Sequence, residues 1–310
     1  MLSDKNTEFA GKRECSIIRN TSKGFKVNKR SGVDRMQQKL EQLLDLIKGL
    51  EKVVIAYSGG VDSTFLAAVA VQVLGDRAVA VTASSETLPA WEREEAVLLA
   101  QTMGIAHMEL PISELNSPAF VQNDGDRCYH CKKERFHHLV QWAVSQGFHW
   151  VLDGSNADDC LDYRPGMKAV AEMDRVKSPL LEVGLTKQEI RKLSKEMGLA
   201  TWDKPSAACL SSRVAYGLAV TQERLRQVEA AEAALRQFCT GQVRVRHHGE
   251  LARIEVEPDQ VAFLLAPENR KVITEQLKQL GFLYVTLDLA GYRTGSMNAV
   301  LSAKKPENTP

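Results

Sequence analysis

"VVIAYSGGVDSTFLA", Val53 to Ala67, decides how this chain folds. Its opening residues are β-branched or small and apolar, as a buried strand requires. Ser58-Gly59-Gly60 then breaks the run, and Asp62 and Ser63 open a helical pattern. A strand that passes through a glycine turn into a helix start is an anion-binding arrangement. The first amides of a helix have no intrahelical partner, and the dipole adds positive charge there.

Working outward, "MQQKLEQLLDLIKGL" (36–50) spaces its apolar residues by three and four, which predicts an amphipathic helix before the strand. Downstream, "RAVAVTA", "IAHMEL" and "HWVLDG" read as strands, alternating with helices over "WEREEAVLLAQTM" and "KKERFHHLVQWAVSQ". "TKQEIRKLSKEMGL" is a further helix with a Thr cap, a Glu three residues on and a Gly near its end. Such alternation predicts an α/β domain over residues 33–205, a parallel sheet with helices on both faces. After "KPSAACLSSR" the rhythm changes: one long helix, two alternating strands, a helix and a last strand. That predicts a smaller α+β domain over 206–303. Residues 1–32 and 304–310 are expected to be polar tails, the first of them disordered.

Composition sets the outer bounds. Hydrophobic residues make up 44% and charged residues 25%, an ordinary soluble balance. The formal net charge of +1 offers no basic surplus for nucleic acid. No apolar stretch approaches the ~20 residues that span a bilayer, and the first thirty residues lack a signal peptide's apolar region. A cytoplasmic protein without a membrane partner is expected. Its six cysteines are then thiols or ligands rather than a disulfide framework.

The glycine turn fits neither a Walker loop, which closes on Gly-Lys-Ser/Thr, nor a G-x-G-x-x-G turn. Gly59 and Gly60 permit close backbone approach, Ser58 and Ser63 offer hydroxyl donors, and Asp62 suits a Mg²⁺ ion set between it and phosphates. The bland alternative is a tight turn with an Asp cap. "SGGVDS" is similar to the signature of the PP-loop ATP pyrophosphatases, which implies ATP as cofactor, pyrophosphate as leaving group and AMP transfer. "DGSNADD" (153–159) also follows a strand and belongs at the same sheet edge. By itself it is a turn; the same resemblance puts Asn156 and Asp159 near the nucleotide.

Cys128 and Cys131 form "RCYHCKK", and Cys209 lies in "KPSAACLSSR"; Cys15, Cys160 and Cys239 have no such company. A lone CxxC suits a redox pair, half a zinc site, part of an iron–sulfur site, or simple packing at a helix start. With a third cysteine the set suits a 4Fe–4S cluster with one open iron. Lys204 and Arg213 lie near Cys209 in sequence, and cations lower a thiol's pKa; a buried structural cysteine is the alternative.

"YSGGVDSTFLA", "RCYHCK", "DGSNADD", "YRPG", "SPLLEVGLTKQEIRKLSKEMGL", "WDKPSAACLSSR", "VRVRHHG" and "LDLAGYRTGSMN" occur in this order. Together they resemble the ATP-dependent sulfurtransferases of nickel-pincer nucleotide biosynthesis, which mature the lactate racemase cofactor. The resemblance covers residues 33 to 303. It implies adenylation of a carboxylate on pyridinium-3,5-biscarboxylic acid mononucleotide, then sulfur delivery. In one branch of the family the counterpart of Cys209 gives up its own sulfur and becomes dehydroalanine. In another, three cysteines hold a 4Fe–4S cluster; Cys128, Cys131 and Cys209 place this chain there, with sulfide or another sulfur donor as partner. The resemblance also implies Arg213, Arg244, Arg246 and Arg293 as substrate ligands, Glu255 as a tentative metal ligand, and a homo-oligomer, a hexamer in relatives. Other proteins of nickel-pincer biosynthesis are implied contacts.

Rival readings share the loop. tRNA thiolation would use the same cysteines, but the neutral charge is against it. An amide-forming ligase would need an ammonia source. A nucleotide-binding iron–sulfur carrier would not need Ser58, Asp62 and Ser63 intact.

Overall fold

A computed structural model describes residues 32–161, 165–206, 208–298 and 300. The tail expected before residue 33 lies outside them except for Gly32, as do the tail after 303, Cys15, and Tyr163 and Arg164 of the "YRPG" segment. The chain divides into two compact units. One comprises the chain up to Ala83, Trp91–Ile112 and Lys132–Ser206; the other comprises Ser84–Ala90, Ser113–Cys131 and the chain from Ala207. The second unit therefore draws two short segments from the first half of the sequence.

In the first unit the elements are α1 (Gly32–Lys48), β1 (Val53–Ala56), α2 (Val61–Leu74), β2 (Ala78–Ser84), α3 (Ala90–Met103) and β3 (Ala106–Pro111). After a short helix α4 (Pro118–Val121), which belongs to the second unit as do the first residues of the next helix up to Cys131, come α5 (Arg127–Ser145), β4 (Trp150–Leu152), α6 (Pro165–Ala171), β5 (Val176–Lys177), α7 (Pro179–Glu182) and α8 (Lys187–Glu196). The strands lie in the order β3-β2-β1-β4-β5. β1 pairs in parallel with β2 and with β4, and β4 pairs in parallel with β5.

Alternation along β1 explains the two covered faces. Val53 and Ile55 pack with Leu43 and Ile47 of α1, Phe65 and Leu66 of α2, and Ile190 and Leu193 of α8. Val54 points the other way, into a cluster with Phe136, Leu139 and Val170. Both faces of a parallel strand are thus taken from water, each such side chain contributing roughly 1.5–3 kcal/mol. α2 is apolar almost all round because it is nearly all buried.

β1 also lies where the strand order reverses: β2 and β3 extend the sheet one way, β4 and β5 the other. The crevice beyond the carboxyl ends of strands at such a switch point is where ligands bind in doubly wound sheets. "SGGVDS" leaves β1 there and "DGSNADD" leaves β4.

The second unit carries α9 (Gln222–Leu235), β6 (Val243–His248), β7 (Leu251–Val256), α10 (Val261–Leu265), α11 (Pro267–Gln279) and β8 (Tyr284–Leu287). β6 pairs antiparallel with β7, and β7 pairs parallel with β8. Val243, Val245, Ile254 and Val256 on one sheet face pack against Leu235 of α9 and Ile273 and Leu277 of α11. The opposite face is left for arginines.

Candidate active site

The phosphate loop of the first unit is shaped by three glycines of different kinds. Gly59 has φ +68, and a Cβ there would stand 3.0 Å from that of Ala96 on α3, so both backbone conformation and close approach demand glycine. Gly60 is the N-cap of α2 at φ −80, an ordinary angle. The freedom expected of both glycines is therefore needed at Gly59 alone. Gly154 was not singled out from sequence, yet a Cβ there would lie 3.3 Å from the Ser63 nitrogen. Its lack of a side chain lets the loop after β4 lie on the first turn of α2.

Hydroxyls close the loop on itself. Ser63 Oγ accepts from the Ser58 amide at 3.3 Å and lies 3.1 Å from Ser58 Oγ. Asn156 Nδ2 donates to Asp62 Oδ1 at 3.4 Å, and the Asn156 amide donates to Asp159 Oδ2 at 3.0 Å. Ser58, Asp62, Ser63, Asn156 and Asp159 are thus brought together. Burial pushes the Asp62 carboxyl above its usual range, Lys187 opposes the rise, and the nearby Asp159 charge adds to it.

Two lysines join this site that sequence reasoning did not place there. Lys187 Nζ lies 2.5 Å from Asp62 Oδ2. Lys204 Nζ donates to the Gly59 carbonyl and to Glu95 Oε2, each at 3.0 Å. Lys204, one of the two cations near Cys209 in sequence, thus braces the phosphate loop. Lys187 had one local signal, its position just after the capping Thr186.

The three cysteines belong to the second unit. Cys128 and Cys131 sit in the first turn of α5, and Cys209 caps the short turn Leu210–Arg213. Cys209 Sγ lies 3.0 Å from Ser211 Oγ, and Cys131 Sγ donates to Glu114 Oε1 at 3.5 Å. Cys128 is exposed at the surface, yet burial of its sulfur raises the thiol pKa; a charge on Cys209 raises it further, and Arg127 lowers it. Cys128 and Cys209 are close enough to feel one another, and Arg127 is the cation at the Cys128 thiol. Its guanidinium donates to the Ser211 carbonyl at 2.9 Å and to Asn123 Oδ1. Among the described residues no group of three or more His, Cys, Asp or Glu side chains is arranged to hold a metal ion. Three soft thiols in one unit, two of them electrostatically linked, fit a cluster by donor chemistry.

Arg213 is 1% exposed; its Nε pairs with Glu232 at 2.9 Å while Nη1 holds the Ala208 and Cys209 carbonyls. It ties the cysteine loop to α9. Arg244 and Arg246 share one face of β6, as their alternation with valines predicts. Arg246 donates twice to Glu255 Oε2, at 2.9 and 2.6 Å. Arg253 Nη2 and Ser296 Oγ donate to Oε1 of the same carboxylate at 2.9 and 2.8 Å. The roughly four lone-pair sites of a carboxylate are then filled. Glu255, expected as a tentative metal ligand, here accepts from two arginines and a serine hydroxyl. Arg244 differs: it is buried, donates to its own Val243 carbonyl at 2.8 Å and lies over Tyr292 at 5.4 Å. Desolvation, then Arg213, lowers its pKa. Three buried arginines thus face two buried glutamates, Glu232 and Glu255. Arg293 is exposed.

Comparison with known proteins agrees with the architecture. The NAD synthase family matches residues 33–155, the stretch that holds the phosphate loop. An uncharacterized protein of Synechocystis sp. is 44% identical over 267 residues, which are 86% of this chain and 99% of the relative. The pyridinium-3,5-bisthiocarboxylic acid mononucleotide synthase of Lactiplantibacillus plantarum is 38% identical over 261 residues, 84% of this chain and 94% of the relative. An uncharacterized protein of Methanocaldococcus jannaschii is 28% identical over 244 residues, 79% of this chain and 92% of the relative. Among the described residues no helix is long and apolar enough to cross a membrane. With nearly the whole length of that synthase aligned and a phosphate loop at the sheet's switch point, the chain belongs to the pyridinium-3,5-bisthiocarboxylic acid mononucleotide synthase family of ATP-using PP-loop enzymes.

Proposed function

We propose that the protein transfers sulfur to pyridinium-3,5-biscarboxylic acid mononucleotide in an ATP-dependent reaction. The observation that carries this reading is the 38% identity over 94% of the named synthase. Ser58, Gly59, Gly60 and Ser63 hold the ATP phosphates, with Asn156 and Asp159 beside them. Asp62 and Asp159 offer the hard oxygen donors that Mg²⁺ takes; bound there, the ion would neutralise charge on the leaving pyrophosphate. A substrate carboxylate attacks the α-phosphorus, the bond to the β-phosphate oxygen breaks, and pyrophosphate leaves. Sulfur then attacks the acyl adenylate carbonyl, AMP leaves, and a thiocarboxylate remains.

Arg244 is the arginine left to meet the anionic substrate, because Arg213 and Arg246 are engaged by glutamates. A buried guanidinium that no carboxylate hydrogen-bonds, and that only the Glu232 charge nearby favours, gains from a phosphate or carboxylate of the substrate. Arg293, exposed near the chain's end, adds a second such donor. Cys128, Cys131 and Cys209 would hold a 4Fe–4S cluster, which would supply sulfide at an iron without a protein ligand. The second reading makes Cys209 the sulfur donor. It is favoured by the free, half-buried state of that thiol and its contact with Ser211 Oγ.

The test is anaerobic incubation of the protein with ATP, Mg²⁺ and the dicarboxylate, with pyrophosphate, AMP and product mass as readouts. Sulfur in the product supports the proposal. Pyrophosphate release with ammonia as acceptor and no sulfur uptake would replace it with an amide ligase. A homo-oligomer, as the family resemblance implies, would appear in light scattering of the same sample.

A further inference from the structure

The three thiols of the second unit come from two segments far apart in sequence. Cys128 and Cys131 stand in the first turn of α5, and Cys209 caps the turn Leu210–Arg213. Neither segment's local pattern brings it to the other.

Asn123, between α4 and α5, makes the connection. It is fully buried with φ +58, a left-handed backbone that asparagine tolerates better than other side chains. Glycine would take that angle more readily, so the amide is what distinguishes the position. Asn123 Nδ2 donates to the Ala215 and Leu218 carbonyls at 2.8 and 2.7 Å and lies 3.4 Å from that of Val214. Both amide hydrogens are thereby used. Its own carbonyl accepts from the Gly217 amide at 3.1 Å. The stretch held in this way runs on directly from the Leu210–Arg213 turn.

The other end of the amide, Oδ1, accepts from Arg127 Nη1, which also donates to the Ser211 carbonyl at 2.9 Å, 84 positions away. Arg127 is 4% exposed and lies over the Tyr216 ring at 5.1 Å. It immediately precedes Cys128 and hydrogen-bonds that side chain as well. Phe120, Leu210, Val214 and Val220 form an apolar cluster against which Cys131 packs.

We infer that Asn123 and Arg127 are positioning residues of the sulfur site: amide and guanidinium together clamp the CxxC turn of α5 to the Cys209 turn and gather the three thiols. This rests on the reading that those thiols deliver sulfur, and it serves either route. A cluster needs all three together, and a sacrificial Cys209 needs its turn fixed. The acceptors Arg127 holds inside the protein, an amide oxygen and a peptide carbonyl, are uncharged. Its positive charge therefore remains for anionic sulfur at Cys128. A rigid planar fork with five donors serves two segments at once, which a lysine's single nitrogen does less well.

Thiol cross-linking tests the clamp in the reduced, metal-free, full-length protein. Dibromobimane joins two neighbouring thiols, and peptide mapping identifies which. Links from Cys209 to Cys128 or Cys131 report the clamp; the Cys128–Cys131 link, within one helical turn, is the internal reference. Asn123→Gly, which keeps the backbone angle, and Arg127→Met are each expected to cut the Cys209 links relative to the reference roughly fivefold or more. Arg127→Lys should fall between them and wild type. All are read well below each variant's melting temperature, so that lost stability alone leaves the ratio unchanged. An unchanged ratio in both Arg127 variants overturns the clamp, whether or not Asn123→Gly folds. Anaerobic iron loading and single-turnover mass analysis of the wild type separate the two readings. If neither iron uptake nor sulfur loss from Cys209 occurs while the variants lose the links, the clamp stands and the sulfur reading fails. If the wild type delivers sulfur and the variants keep the links, the clamp alone fails.

Discussion

Arg246 and Arg253 stand directly opposite one another on β6 and β7, and Glu255 accepts hydrogen bonds from both. Like charges facing across an antiparallel pair repel, so the sheet tolerates this register only because a fully buried carboxylate lies between them. Glu255→Ala leaves the buried Arg246 without its carboxylate, while Arg253 keeps only Asp288 at 3.7 Å. A loss of about 3–5 kcal/mol is expected for breaking such a buried pair, read as a lower urea midpoint of the second unit. A variant as stable as wild type would mean that Glu255 is not the counter-ion.

Gly59→Ala forces a side chain onto a backbone at φ +68 and into Ala96 at 3.0 Å. A cost of about 1–3 kcal/mol is expected from the strained conformation, with ATP affinity reduced as the loop shifts. Gly60→Ala, at φ −80 and with nothing nearer than Ser58 Oγ at 3.4 Å, should fold as wild type. Thermal melting of the two variants checks the contrast.

Arg244 has no carboxylate ion pair like those of Arg213 and Arg246, though the Glu232 charge favours its guanidinium. Arg244→Met should leave melting nearly unchanged or raise it, because the removed charge is buried, repelled by Arg213 and only partly offset by Glu232. It should also raise the KM for the dicarboxylate mononucleotide by roughly tenfold, while the KM for ATP stays put. Substrate titration at saturating ATP separates these effects. A drop in stability with unchanged KM would make Arg244 structural.

His247 accepts the Gly249 amide on Nδ1 and donates from Nε2 to Gln227 Oε1, the pattern of a neutral ring. Burial first, then Arg224 and His248, push its pKa down from 6.5 to about 4. The unfolded chain therefore binds the extra proton in that interval and the folded one does not. Stability from this group is complete above pH 6.5 and is lost as the pH falls toward 4. Urea midpoints across that range should fall more steeply for wild type than for His247→Gln.

Anaerobic iron and sulfide analysis decides the sulfur source. About four irons per chain, lost in both Cys128→Ala and Cys209→Ala, is the outcome expected of a cluster. An iron-free protein that loses ~34 Da at Cys209 after one turnover would establish the sacrificial route, since dehydroalanine formation removes H₂S.

Much of the first unit could be read locally. Val53 to Ser63 encodes strand, turn and helix start through neighbouring residues, and period-two burial on β1 and β6 follows from the pleat. The short elements β5, α6 and α7 were not legible, being too brief for a period to show. Nor was the assignment of Ser84–Ala90 and Ser113–Cys131 to the second unit, since compactness is a property of distant contacts.

By itself the sequence determined where the strand–glycine turn–helix loop lies, which strand face carries arginines, and, through its ordered motifs, the family. Tertiary structure alone decided what each charge does. Asp62 meets Lys187, Lys204 braces Gly59, and Glu255 holds Arg246 and Arg253. Backbone form and burial are set by periods of two to four residues. A charge takes its role from the one partner the fold brings within about 3 Å, and no local pattern carries that distance.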